Sequence, residues 1–203
     1  MGARFTIRVP RKAVLERVVT TNSSIRIRDL EGAARLRTTN GRVEVQNVRG
    51  QVEAQTTNGR IDVAGGAAGA VLRTTNGRIS AENVQGGFEA HTSNGGISAR
   101  ISGSGDARPV RTETTNGSVD LELASGHFGD VRATTSNGSI TLHLPAGASA
   151  RLSASTTNSS IQSEFDLTSQ GPSNRHHLEG TIGAGGPAVD LSTTNGSIRL
   201  LKR

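Results

Sequence analysis

Cysteine, tryptophan and tyrosine are absent from the 203 residues, and four phenylalanines are the whole aromatic complement. Without cysteine there is no disulfide, no thiolate metal site and no thiol nucleophile. Apolar residues make up only 33%, a share that would leave an unpatterned chain short of a core. No apolar run is long enough to span a bilayer, and the first residues do not show the pattern of a secretory signal. Charge is scarce in one sense too. The net of +6 sits entirely in residues 1–101, where 15 Lys and Arg face 8 Asp and Glu. The remainder is close to balanced.

What is present is a repeated tetrapeptide. It reads Thr-Thr-Asn-Gly or a near copy nine times, around Asn22, Asn40, Asn58, Asn76, Asn94, Asn116, Asn137, Asn158 and Asn195. Successive spacings are 18, 18, 18, 18, 22, 21, 21 and 37 residues. A fixed period of about 20 residues marks a stack of like units. Such a stack needs only a thin core of small aliphatics, which the low apolar content can supply.

Counting from each Asn, position +3 is a β-branched aliphatic in every copy, from Ile25 and Val43 to Ile198. Position +5 is mostly aliphatic, and +2, +4 and +6 are mostly polar. Before the Asn, positions −4 and −6 are small or aliphatic, as in Leu36, Ala54, Leu72, Val52 and Phe88. Alternation of this kind reads as a half-buried strand on each side of the turn. Thr at −2 shares the inward parity, with its methyl packing and its hydroxyl bonding along the column or to backbone. Stacking at about 4.8 Å would join the nine amides in a ladder, each side chain bonding the next. A ladder with buried neighbours predicts that Asn76→Ala costs roughly 1–3 kcal/mol. The opposite bend carries Asp29, Asn47 and Asn83 at +7 and Gly32, Gly50 and Gly86 at +10. Asn-Gly between alternating strands is also a hairpin signal, and an antiparallel meander could repeat with this period. A meander would not need the same Thr-Thr before every turn or aliphatics in identical register. The pattern therefore favours parallel stacking.

The expected architecture is one all-β domain over residues 1–203. It is a single-stranded parallel β-helix (β-solenoid) of nine to ten coils, with about 18–21 residues per coil and a length of roughly 45 Å. Insertions are expected near 101–109 and 125–130, and a long excursion at 166–187 holds the strand-like His177–Ile182. Residues 10–19 have helix-like apolar spacing but read as loop and strand. Arg4–Pro10 aligns with Ser139–Pro145, which puts Phe5, Ile7 and Val9 in the inward places of Ile140, Leu142 and Leu144. The chain is thus expected to begin in mid-coil and to continue a longer protein. The excursion and the closing Arg-Leu-Leu-Lys-Arg are expected to cap the C-terminal end.

The nine [ST]-N-[GS]-x-[IV] copies, the stretch LPAGASARLSASTTNSSI and the closing HHLEGTIGAGG…LSTTNGSIRL resemble a bacterial adhesin-like family of unknown function. The resemblance spans essentially the whole chain. It implies a right-handed β-helix, in keeping with the handedness of parallel crossovers, and an extracytoplasmic or cell-surface location. It carries no catalytic residue, metal ligand or cofactor.

Surface chemistry offers a few candidates. Arg42, Arg60 and Arg78 share position +2 and would stack one coil apart, with Arg35, Arg37 and Arg73 outward on nearby coils. Such rows could hold an envelope polyanion or acidic surface glycan, although neighbouring Glu44, Asp62, Glu53 and Glu89 could equally neutralise them. Nucleic acid fits least, because few aromatics are available for base stacking. The pair Asp120 and Glu122 shares one strand face and reads as solvated surface. His91, His127 and His143 are scattered, and the adjacent His176 and His177 would point to opposite faces of a strand. An ice-binding Thr array is excluded by the inward −2 Thr and the charged −3 column. The expected function is therefore a non-enzymatic envelope or surface module, without cofactor, engaging a glycan or another protein through a solenoid end. The alternative is a carbohydrate-binding or pectate-lyase-like β-helix acting on an acidic polysaccharide.

Overall fold

In a computed structural model, residues 6–103, 107–125, 127–169 and 174–203 are described. Among them the regular structure is entirely β. Seven strands precede successive Asn turns: β1 (Leu15–Val19), β3 (Ala34–Arg37), β5 (Gln51–Gln55), β7 (Gly69–Arg73), β9 (Phe88–Thr92), β11 (Val110–Thr114) and β13 (Val131–Thr135). Seven follow them: β2 (Ile25–Leu30), β4 (Val43–Val48), β6 (Ile61–Ala64), β8 (Ile79–Val84), β10 (Ile97–Ile101), β12 (Val119–Leu123) and β14 (Ile140–Leu144). The first set forms one parallel sheet and the second set another. The registers match repeat on repeat: Val43 lies on Ile61, Ile61 on Ile79, and Leu36 on Ala54. The chain does not double back at Asn40-Gly41, and the parallel solenoid holds.

The core is the narrow space between the two sheets. The +3 column from Val43 to Val119 and Ile140 is at most 1% exposed, and the −4 column from Leu36 to Ala90 is equally closed. Thr38, Thr56, Thr74 and Thr92 at −2 are buried with them. The bend at +7 places Asp29, Asn47 and Asn83 at φ of 53–58° and Gly65 at 89°. Asn and Asp are the non-glycine residues that tolerate this left-handed region best, so this bend is the one that uses it. The ladder Asn do not.

Stacking order departs from chain order at the C-terminal end. Strand pairs follow one another only through β13 and β14, about six turns of uninterrupted winding rather than nine to ten. The next pair, β15 (Ala150–Thr156) and β16 (Ile161–Ser163), skips a level. The chain then makes β17 (Leu167–Ser169) and β18 (His177–Ile182) and returns to lay down β19 (Ala188–Thr193) and β20 (Ile198–Lys202) in the vacant level. Thus β19 lies between β13 and β15, and β20 between β14 and β16, all parallel.

Two expectations change accordingly. His177–Ile182 is a strand but not a further coil, because β18 runs antiparallel to both β15 and β17 and closes the first sheet. The tail from Arg199 is interior to the second sheet and caps nothing. At the other end, β1 covers Leu15–Val19 as expected, but Ile7 and Val9 are not inward. Residues 6–10 form no strand, and Ile7 is 81% exposed. Their expected site is the outer edge of β2, with which no described residue before β1 pairs. Phe5 is outside the described residues.

Candidate functional site

The most regular surface of the molecule is the ridge of Asn turns. In the order Asn22, Asn40, Asn58, Asn76, Asn94, Asn116, Asn137, Asn195, Asn158, each side-chain amide from Asn40 onward donates to the side-chain carbonyl oxygen of the Asn before it, at 2.7–2.8 Å. The expected ladder is complete, and its order repeats the insertion of the last strand pair. It is not buried: all nine Asn are exposed. The forecast cost of Asn76→Ala, which assumed a buried neighbour, is corrected downward, because water can serve any amide left unpaired.

Two further ladders lie beneath it. Each Asn backbone N–H donates to the carbonyl at −1 of the preceding level, as Asn58 to Thr39 at 2.8 Å. Each −2 Thr hydroxyl donates to the +1 carbonyl of the preceding level at 2.8–3.1 Å, from Thr38 on Ser23 to Thr193 on Gly138 and Thr156 on Gly196. This explains why Thr rather than Val recurs there. Close stacking also explains the glycines. A Cβ on Gly41, Gly59, Gly77, Gly95, Gly117, Gly138 or Gly196 would come within 1.8–2.0 Å of the carbonyl oxygen at +1 of the level below. Ser replaces Gly only at Ser23 and Ser159, on the two terminal levels.

The arginines expected to bind a polyanion fall on two separate surfaces. Arg42, Arg60 and Arg78 do rise one level at a time along the start of the second sheet, since the carbonyls of Arg42, Arg60 and Arg78 accept from Ile25, Val43 and Ile61 in turn. Asp62 sits between the first two, 3.9 Å from Arg42 and 3.8 Å from Arg60. Burial pushes the Asp62 carboxyl above its ordinary range; Arg60 and then Arg42 pull it down, and Glu44 adds a further push upward. Arg35, Arg37 and Arg73 lie on the outer face of the first sheet. Arg35 bonds Glu53 at 2.7 Å and Arg73 bonds Glu89.

Sign alternation continues elsewhere. Arg26 and Arg28 share Glu44, at 2.9 and 3.9 Å. Arg100 and Arg203 share Glu122, and Asp120 lies 3.7 Å from His143. Asp120 and Glu122 thus share a face as expected, each already opposed by a basic group. His91 faces Glu113 at 3.4 Å and His177 faces Glu179 at 3.2 Å. Among the described residues no three His, Cys, Asp or Glu converge as metal ligands. One pair escaped sequence inspection: Arg111 and Arg132 are directly opposed on β11 and β13, because the irregular spacing of 22 and 21 residues hides that they share a column.

A chain whose identical turns stack on three hydrogen-bonded ladders, with the core held between two parallel sheets, is a β-solenoid repeat protein. The Toastrack DUF4097 family profile matches residues 7–130 and again residues 126–201. The chain therefore belongs to that family, defined by a domain of unknown function. No curated protein and no solved structure shows significant similarity to it.

Proposed function

We propose that this domain is a non-enzymatic β-solenoid scaffold of the cell envelope or cell surface, an adhesin-like module that presents a rigid body to other molecules. The observation that carries the reading is the set of three uninterrupted ladders along the Asn ridge. Regular backbone and side-chain bonding at every level favours stiffness over the movable loops and lids on which many enzymes rely. The charged outer faces support the same reading, since their main carboxylates are already engaged by arginines and are poor candidates for general acid–base work. The location rests on the family resemblance. Fractionating cells with an antibody to residues 174–203 tests it: protease-accessible protein outside the cytoplasmic membrane is the expected result, and a protein confined to the cytosol overturns it. Incubation with polygalacturonate tests the non-enzymatic part, and release of new reducing or unsaturated ends would overturn that.

A second reading is binding of an acidic polysaccharide on the first sheet. It is favoured by Arg111 opposite Arg132, with Arg37 and Arg73 further along the same face. Glycan-array binding that weakens with salt and is lost in Arg111→Ser/Arg132→Ser would establish it. Arg42, Arg60 and Arg78 remain candidates for the other face, and Arg42→Ser/Arg60→Ser/Arg78→Ser in the same array tests them.

A further inference from the structure

Seven of the nine ladder residues, Asn40 through Asn137 and Asn195, are followed by glycine. Asparagine is a chemically labile side chain, and it is most open to attack by its own backbone when glycine, with no Cβ in the way, comes next. The glycine nitrogen bonds to the Asn side-chain carbon, the bond to the amide nitrogen breaks, and ammonia leaves with the glycine proton. Water then opens the cyclic imide at one of its two carbonyls, giving aspartate or isoaspartate. All seven Asn are exposed, so water reaches each of them. On sequence and exposure alone, this ridge is the most perishable part of the molecule.

We propose that the ladder guards these seven side chains against deamidation, and that one deamidation passes the damage toward the N-terminal levels only. Cyclisation requires the side-chain carbon to swing onto the following nitrogen. At Asn58 the amide donates to Asn40 at 2.7 Å, and the side-chain oxygen accepts from Asn76 at 2.8 Å. Both bonds must open before the side chain can turn. The backbone on either side is held as firmly. The Asn58 N–H donates to the Thr39 carbonyl at 2.8 Å, and a Cβ on Gly59 would lie 1.9 Å from the Gly41 carbonyl oxygen. At Asn195 the attacking nitrogen is itself engaged, since Gly196 donates to the Thr193 hydroxyl at 3.3 Å. Reaction is therefore confined to molecules in which a level opens locally.

The direction of damage follows from the polarity of the ladder. If Asn76 becomes aspartate, its carboxylate at neutral pH has no proton to give Asn58, and oxygen faces oxygen where a hydrogen bond stood. Asn94 still finds an acceptor at residue 76 for its amide, now a charged and stronger one. Its own oxygen still accepts from Asn116. Asn58 is thus left with one ladder bond while Asn94 keeps two. Once Asn58 has reacted, Asn40 loses its partner in the same way.

Site-resolved mass spectrometry of the whole chain, after incubation in heavy-oxygen water at mildly alkaline pH, tests both parts. Folded wild type is expected to deamidate at Asn58, Asn76 and Asn94 at least about tenfold more slowly than the same chain in urea. Asn76→Asp is expected to speed reaction at Asn58 by about two- to fivefold, the gain in freed side chains from one lost bond, and to leave Asn94 no faster than in wild type. The new charge lies one level from each neighbour, so the contrast between them isolates the ladder. Asn76→Ala takes a bond from both neighbours and should speed both, with Asn137, three levels away, unchanged. Folded rates equal to those in urea would overturn the guarding role, and that comparison stands whatever the variants do to the fold. Equal acceleration at Asn58 and Asn94 in Asn76→Asp, or acceleration at neither, would overturn the direction of damage. No outcome depends on where the protein resides or what it binds.

Discussion

Substitutions along the Asn ridge should differ sharply in cost, although every position there repeats nine times. Gly77→Ala is the most severe, because its Cβ would fall 1.8 Å from the Gly59 carbonyl oxygen and the backbone cannot retreat without breaking the stack. A loss of about 3 kcal/mol or more is expected in urea unfolding. Thr74→Val leaves the Gly59 carbonyl without the hydroxyl that bonds it at 3.0 Å, at an expected cost of about 1–2 kcal/mol. Asn76→Ala removes two ladder bonds but exposes the orphaned groups to water, so about 0.5–1 kcal/mol is expected by the same measurement. Inside the core the sign reverses. Thr112 occupies the otherwise aliphatic −4 column, and its buried hydroxyl has no hydrogen-bond partner. Thr112→Val keeps the shape and should raise stability by about 1 kcal/mol. Asp62 gives a pH signature. Its folded carboxyl titrates above its ordinary 3.8 because burial outweighs its two arginines. The folded state therefore holds this proton to higher pH than the unfolded state does. Stability from this group is greatest below the ordinary aspartate range and declines as pH rises through the raised folded value. Asp62→Asn should flatten that decline in Tm measured across mildly acid pH.

Strand pairs carry most of the stabilisation. Each buried Val, Leu or Ile contributes roughly 1.5–3 kcal/mol, well above one surface amide bond. The aliphatic columns, not the ladder, therefore hold the sheets together. Those columns were legible in the sequence because a side-chain period of two leaves only one inward register for residues such as Val43 and Val45. The turn ladders were legible for the same reason. The level at which the last pair sits was not. Val189 and Leu191 fit against Val131 and Ala133 or against Leu152 and Ala154 equally well, and in the structure they touch both sets. Identical repeats carry no label for their place in the stack. The ion pairs were half legible: Glu44 and Asp62 were visible beside the arginines, but sequence could not show that one carboxylate serves two of them. Removing residues 188–203 should leave β13 and β14 facing an empty level. Rapid amide exchange is then expected in β13 through β16, with β3 through β8 retaining protection.

As a whole body the solenoid is asymmetric: among the described residues its first sheet ends in the antiparallel β18 and β17 on one side and in the parallel β1 on the other. Its N-terminal half is basic, and its faces are laced with opposed charges. Replacing Arg35 and Arg73 with Gln is expected to change stability by less than about 1 kcal/mol, since exposed pairs of this kind contribute little. Urea unfolding of the double variant measures it.

The late return of β19 and β20 also has a meaning for biosynthesis. The level that joins β13 to β15 is supplied by β19 and β20, which are synthesised after both of its neighbours. Until then those neighbours can only touch each other in the wrong partnership or wait apart. A chain stopped before residue 188 thus carries an unfinished seam of the kind that quality-control proteases recognise, and only the arrival of β19 and β20 closes it.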